Sequence, residues 1–147
     1  MFKHILIPTD GSEVAAKAIA AGVGLAAEMG ASVTAFYAIE PPPSHLYGGG
    51  AVANPKLIEE VDKRAREFAQ GSLEKVVASA KAAGVKCKTV VGRSVLPYRG
   101  IIDAAEKGRC DAIFMASHGR KGLAEMWHGS QTHEVLTHSD IPTLVYR

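Results

Sequence analysis

The sequence predicts an α/β fold, an open doubly wound parallel five-stranded sheet with helices on both faces. Three observations carry this. Five short apolar runs alternate with longer stretches of helical periodicity. The first, second and fourth runs are almost continuously apolar, which suits strands covered on both sides. The helical stretches open on capping residues and mostly close on glycine. Crossovers in such a sheet are expected to be right-handed.

Taken in order, the first strand is expected over residues 2–7. A helix over residues 12–29 follows, with Ser12 as its N-cap, Glu13 in its first turn and Gly30 closing it. The second strand is Ser32–Ile39. Asn54 then caps a helix that has Pro55 at its first position and runs to about residue 83, where Gly84 ends it. Its apolar residues, among them Leu57, Ile58, Val61, Ala65, Phe68, Leu73 and Val76, recur three and four apart. The third strand is expected over residues 85–91. A helix over residues 96–107 is closed by Gly108. The fourth strand spans residues 111–115, a last helix residues 128–137, and the fifth strand residues 142–146.

One connection is long. Glu40 to Asn54 holds Pro41, Pro42, Pro43, Gly48, Gly49 and Gly50, and leaves the carboxyl end of the second strand. It reads equally as a flap over a ligand or as a surface loop that touches none.

At 147 residues one domain is expected, spanning 1–147 and large enough to bury a core without metal or disulfide staples. Hydrophobic content is 47%, charged content 22% and net charge +2, which argues against a nucleic-acid or membrane surface. Cys87 and Cys110 read as small buried hydrophobes. The opening residues lack the run and cleavage site of a signal peptide, and no stretch has the roughly 20 apolar residues that span a bilayer. The expected location is cytoplasmic.

Ligands of wound sheets bind outside the carboxyl ends of the strands, so chemistry is sought there. After the fourth strand comes Met115-Ala116-Ser117-His118-Gly119-Arg120-Lys121-Gly122, continuing to Gly129-Ser130. Glycines let the backbone approach a ligand, the expected helix start offers N–H groups and positive dipole to an anion, and Ser117 and Ser130 add hydroxyls. Arg120 and Lys121 add positive charge. Together these are parts of a phosphate cradle, although a loop that merely turns the chain would look similar. No Gly-Lys-Ser/Thr follows, so it is not a Walker loop. After the first strand, in Pro8-Thr9-Asp10-Gly11-Ser12, Asp10 could bind a ribose hydroxyl or a metal ion, or serve only as a helix-cap aspartate. His118 lies inside the glycine loop. Glu134 and His138 are four apart, and two ligands do not make a metal site.

These segments resemble the universal stress protein family along the whole chain. The resemblance rests on Ile5-Leu6-Ile7-Pro8-Thr9-Asp10-Gly11-Ser12, on Ser117-His118-Gly119 followed, after nine intervening residues, by Gly129-Ser130, and on Ile141-Pro142-Thr143-Leu144-Val145-Tyr146. The family's nucleotide-binding branch carries Gly, two residues, Gly, nine residues, Gly, then Ser or Thr. Gly119, Gly129 and Ser130 fit it, and Ala116 replaces the first glycine.

The resemblance implies a Rossmann-like sheet of the adenine nucleotide alpha hydrolase type. It implies ATP or AMP as ligand, with Mg²⁺ on the phosphates, and a sensor or regulator role in stress response. Asp10 would approach the ribose or a metal ion on the phosphates, with Pro8 and Thr9 beside it in the binding set, Ala38 would contact adenine through its main chain, and Met115 would line the base pocket. Ala116, Ser117, His118, Gly119, Gly129, Ser130 and Gln131 would surround the phosphates. A homodimer through the last strand, Thr143, Leu144, Val145 and Tyr146, is implied as well, and an unprotected edge strand agrees with it. The competing readings are a nucleotide-free dimeric interaction protein and a slow ATPase or phosphotransferase. At most weak ATP hydrolysis is expected.

Overall fold

The structure, a computed structural model, describes residues 1–42, 54–117 and 131–147. Its elements are β1 (His4–Pro8), α1 (Glu13–Met29), β2 (Ser32–Ile39), α2 (Pro55–Ala82), β3 (Cys87–Arg93), α3 (Pro97–Gly108), β4 (Ala112–Ala116), α4 (Gln131–His138) and β5 (Thr143–Tyr146). The strands form one sheet in the order β3-β2-β1-β4-β5, with every pairing parallel. The doubly wound fold expected from the sequence is therefore the one observed.

Strand pleat divides the apolar residues between two layers. Ile5 and Ile7 face one side with Val33, Ala35, Ala112 and Phe114, against Ala18, Val23 and Ala26 of α1 and Leu73, Val76 and Ala80 of α2. Leu6, Phe36, Ile113 and Met115 face the other, against Tyr98, Ile101, Ile102 and Ala105 of α3 and Val135 of α4. Winding runs from β1 out to β3 on the first pair of helices, then back across to β4 and β5 on the second. Burying one such side chain is worth roughly 1.5–3 kcal/mol. The exposed pairs along α2, Glu60–Arg64 and Lys63–Glu67, are worth about 0.3–0.5 kcal/mol each, so the core seats that helix.

Capping follows the sequence at α1 and α2. The Ser12 hydroxyl accepts from the Ala15 amide at 3.2 Å and the Asn54 side chain accepts from the Leu57 amide at 3.3 Å. Gly30 takes the left-handed conformation after α1.

Several boundaries differ from the sequence reading. β1 starts at His4 because the Asp111 carboxylate accepts the amides of Lys3 and His4, at 2.8 and 3.0 Å. That use of Asp111 also delays β4 to Ala112. β3 starts at Cys87 because the Val85 amide donates to Ala80 to close α2, and it runs on to Arg93 opposite Ile39. α3 keeps Gly108 as its last residue, and the left-handed position falls on Arg109, whose φ is 52°. The last helix was expected over residues 128–137; α4 runs from Gln131 to His138, and 128–130 lie outside the described residues. Of the long Pro/Gly connection, residues 43–53 lie outside them too.

Cys110 is buried against the α3 layer and Cys87 half-buried against the α1 layer. Both thiols are free, lie on opposite faces of the sheet, and are pushed up in pKa by burial. No helix among the described residues is long and apolar enough to cross a membrane.

Helix α1 approaches the sheet through Gly22, where a Cβ would lie 2.8 Å from Phe114 and 3.0 Å from Ile7. Gly24 faces open space. Gly22→Val should therefore destabilise by about 1–3 kcal/mol through overpacking, whereas Gly24→Ala should stabilise by about 0.5–1 kcal/mol. Urea unfolding of the two variants checks both signs.

At the opposite end of β1 from the turn into α1, His4 Nε2 lies 2.7 Å from the hydroxyl of the fully buried Thr34. Burial, then the Lys88 ammonium, holds the imidazole below its ordinary pKa, against Asp111 and the backbone at Gly108 and Arg109. A depressed histidine is neutral in the folded state, so below about pH 6.5 the unfolded chain binds more protons and stability falls with pH. Wild-type protein should lose more unfolding free energy between pH 7.5 and pH 5.5 than His4→Gln does, in paired urea titrations; equal losses would remove His4 from the account.

Candidate functional site

The crevice opens where the winding reverses, between β1 and β4. Their ladder runs from Ile5 opposite Ala112 to Leu6 opposite Ile113, yet β1 continues to Pro8 and β4 to Ala116. β1 stays paired to β2 as far as Pro8 opposite Phe36, and the Thr9 amide extends that ladder to the Phe36 carbonyl at 2.9 Å. Pro8 has no N–H to give. The carboxyl ends of the two central strands are thus free of mutual pairing where ligands of wound sheets bind.

On the β1 side, two side-chain turns shape the chain beyond Pro8. The buried Thr9 hydroxyl accepts from the Gly11 amide at 3.2 Å, and Asp10 Oδ1 accepts from the Ser12 amide at 2.9 Å. Asp10 therefore stiffens the entry to α1 while Ser12 does the capping. Gly11 sits at φ 78°, and a Cβ there would lie 2.7 Å from the Ser72 hydroxyl and 3.1 Å from the Phe68 ring. Glycine is required twice over, by backbone angle and by the approach of α2.

On the β4 side, Met115 is buried in the α3–α4 layer and Ala116 is half-buried at the strand end. Among the described residues only Arg109 has positive φ without being glycine. Ala116 therefore keeps ordinary strand angles, and the position needs no glycine backbone here. The Ala116 carbonyl accepts from the Thr132 hydroxyl at 2.8 Å, and the Ser117 amide donates to the Tyr146 carbonyl at 2.8 Å. The carbonyl oxygen of the Gln131 side chain accepts the Tyr98 amide at 2.7 Å, tying the first turns of α4 and α3 together. Gln131 is expected around the phosphates, where its amide nitrogen, the donor, would be the group in contact.

The structure thus brings Pro8, Thr9 and Asp10 to the same end of the sheet as Met115, Ala116 and Ser117. Ala38 lies one strand away on β2, opposite Gly92 of β3. His118, Gly119, Gly129 and Ser130, with Arg120, Lys121 and Gly122, lie outside the described residues. Sequence reading missed Thr132 and the backbone role of Tyr98; a threonine in a helical stretch carries no signal that its hydroxyl crosses to a strand 16 residues earlier.

Nearby, a groove of about 460 Å³ lies at the base of the Pro/Gly connection, lined by Pro42, Pro55, Ile58, Asp62, Arg66 and Arg93. It contains none of the expected site residues. Asp62 is ion-paired there with Arg66 and Arg93, and hydrogen bonds from those guanidinium groups hold its carboxyl below the ordinary range. Glu134 and His138 do share a face of α4, at 3.3 Å, and the His138 ring packs on Tyr98. Among the described residues no three His, Cys, Asp or Glu side chains converge as metal ligands.

Comparison with known proteins agrees with this architecture. Universal stress protein MJ0531 of Methanocaldococcus jannaschii is 35% identical over 147 residues, spanning all of this chain and 83% of that protein. The solved structure of hypothetical protein MJ0577, from the same organism, superposes with a TM-score of 0.81 at 28% identity, covering 99% of this chain and 95% of its own. A universal stress protein in complex with cAMP has a TM-score of 0.71 at 18% identity, over 99% and 97% of the two chains. One from Archaeoglobus fulgidus in complex with dAMP has 0.62 at 17% identity, over 100% and 98%. The sequence profile of the universal stress protein family matches residues 1–147 without a break, and this chain belongs to that family.

Proposed function

We propose that this protein binds an adenine nucleotide, ATP or AMP, in the crevice between β1 and β4, and acts as a sensor or regulator in stress response. The observation that carries the reading is the parting of β1 and β4 beyond Leu6 and Ile113, with the Asp10 turn on one side and the Ala116–Ser117 peptide on the other. Family members in complex with cAMP and dAMP support an adenine ligand. Ala116 keeps ordinary strand conformation, so the backbone at that position does not need the missing glycine.

In this reading Pro8, Thr9 and Asp10 flank the ribose, Ala38 meets the adenine through its main chain and Met115 lines the base pocket. Ser117, His118, Gly119, Gly129 and Ser130 hold the phosphates, and Mg²⁺ on those phosphates would be met by Asp10. Gln131 stands with them: its side-chain oxygen accepts the Tyr98 amide, and its amide nitrogen is the group that would donate to phosphate. Bound Mg²⁺ would neutralise phosphate charge. We assign no hydrolytic step.

The dimer belongs to the same reading. β5 is an edge strand, and Val145 on it is 37% exposed. The carbonyls of Pro142 and Tyr146 face β4, so by strand alternation the Val145 N–H points to the open edge. A second copy pairing there across a two-fold axis would satisfy it.

Calorimetric titration of nucleotide-free protein with ATP and Mg²⁺ should give a Kd below about 100 μM, near −5.5 kcal/mol. The double variant Gly119→Val, Gly129→Val should lose it. Absence of binding by folded wild-type protein would reject the nucleotide reading in favour of an interaction protein. Separately, sedimentation at micromolar concentration should show a dimer that Val145→Pro reduces to a monomer, because proline removes the edge donor. A wild-type monomer would reject the dimer.

A further inference from the structure

The peptide joining Ala116 to Ser117 has both of its polar groups bonded. Its carbonyl accepts the Thr132 hydroxyl at 2.8 Å and its N–H donates to the Tyr146 carbonyl at 2.8 Å. The two partners come from different elements, α4 and β5, so the peptide plane is held from two directions and its rotation is blocked. A helical threonine ordinarily turns its hydroxyl back to a carbonyl of its own helix, as Thr137 does to His133. Thr132 instead reaches across to the end of β4, and its side chain is buried, at 7% exposure. The helix turn that carries it is fixed in place by its neighbour, since the Gln131 side chain accepts the first-turn amide of α3 at Tyr98.

We propose that Thr132 is a positioning residue of the nucleotide site. It touches no ligand; it orients the Ala116–Ser117 peptide, and with it the Ser117 side chain, at the mouth of the crevice. The inference rests on the nucleotide reading above. Because the hydroxyl is the working group, the methyl alone cannot replace it, and a half-buried carbonyl left without its donor lets the peptide rotate away from the binding geometry.

Titration with ATP and Mg²⁺ at 20 °C compares wild type, Thr132→Val and Thr132→Ser, with thermal unfolding of each in the absence of nucleotide. Thr132→Val, which keeps shape and loses the donor, should bind about tenfold more weakly, equivalent to about 1.4 kcal/mol, while still folded at the titration temperature. Thr132→Ser should recover affinity to within about threefold of wild type. A role in stability alone would lower the unfolding temperature of Thr132→Val and leave its affinity within about twofold of wild type, which overturns the inference. Equal losses in the valine and serine variants overturn it too, by placing the effect in packing of the methyl. If Thr132→Val does not fold, Thr132→Ala, a better helix former, is read in its place. Wild-type protein that fails to bind rejects the nucleotide reading and this inference together; wild-type binding with an unaffected donor-less variant rejects only the inference.

Discussion

Strand β1 is hydrogen-bonded to β2 along one edge and to β4 along the other, and the chain winds away from it in two directions. Its central residues, Ile5, Leu6 and Ile7, are fully buried and alternate between the two helical layers. Because a parallel crossover keeps one hand, a chain that winds outward and then returns must place its helices on opposite faces. The reversal also leaves two neighbouring strands whose following segments lead to opposite sides of the sheet. A cleft at that point is a consequence of topology, and the side chains only furnish it.

Close approach between layers depends on residues that lack side chains. Gly22 admits Phe114 and Ile7 beneath α1, and Gly92 admits the Phe36 ring beside β3, where a Cβ would lie 2.9 Å away. Gly11 admits α2 over the turn that follows β1. Helices α1 and α2 are thereby brought within van der Waals reach of the sheet and of the crevice edge, and the Phe36 ring lies against β3. Buried side-chain polar atoms among the described residues all have partners, so the packing carries no desolvation penalty of that kind.

The crevice edges are built from polar groups that serve the backbone first. Thr9 and Asp10 accept amides two residues ahead, and Thr132 and Gln131 accept or donate across elements. Crevice edges framed this way are ordered by the fold itself, which in the proposed nucleotide reading reduces the ordering cost of binding. Asp10 belongs to that frame through Oδ1 as well as to the nucleotide reading, and the two roles are compatible because a carboxylate accepts more than one hydrogen bond.

How much was legible follows from the range over which each signal acts. Apolar runs are local, so the five strands, the helices on both faces and the wound topology were readable from the alternation of runs such as 32–39 with helical stretches. Capping chemistry is local too, hence Ser12, Gly30 and Asn54 were placed correctly. Family motif spacing pointed to the universal stress protein family, and the whole-chain match agrees. Strand ends were misplaced wherever a distant side chain took the amide, as Asp111 does with Lys3 and His4, or a helix end did, as Ala80 does with Val85. The strand order, the parting of β1 from β4, and the partners of Thr132 and Gln131 join residues far apart in sequence, and only the tertiary structure brings them together. By itself the sequence determined which segments are strands and helices; which hydrogen bonds frame the crevice was decided by packing, because a donor's partner is whatever the fold carries into its reach.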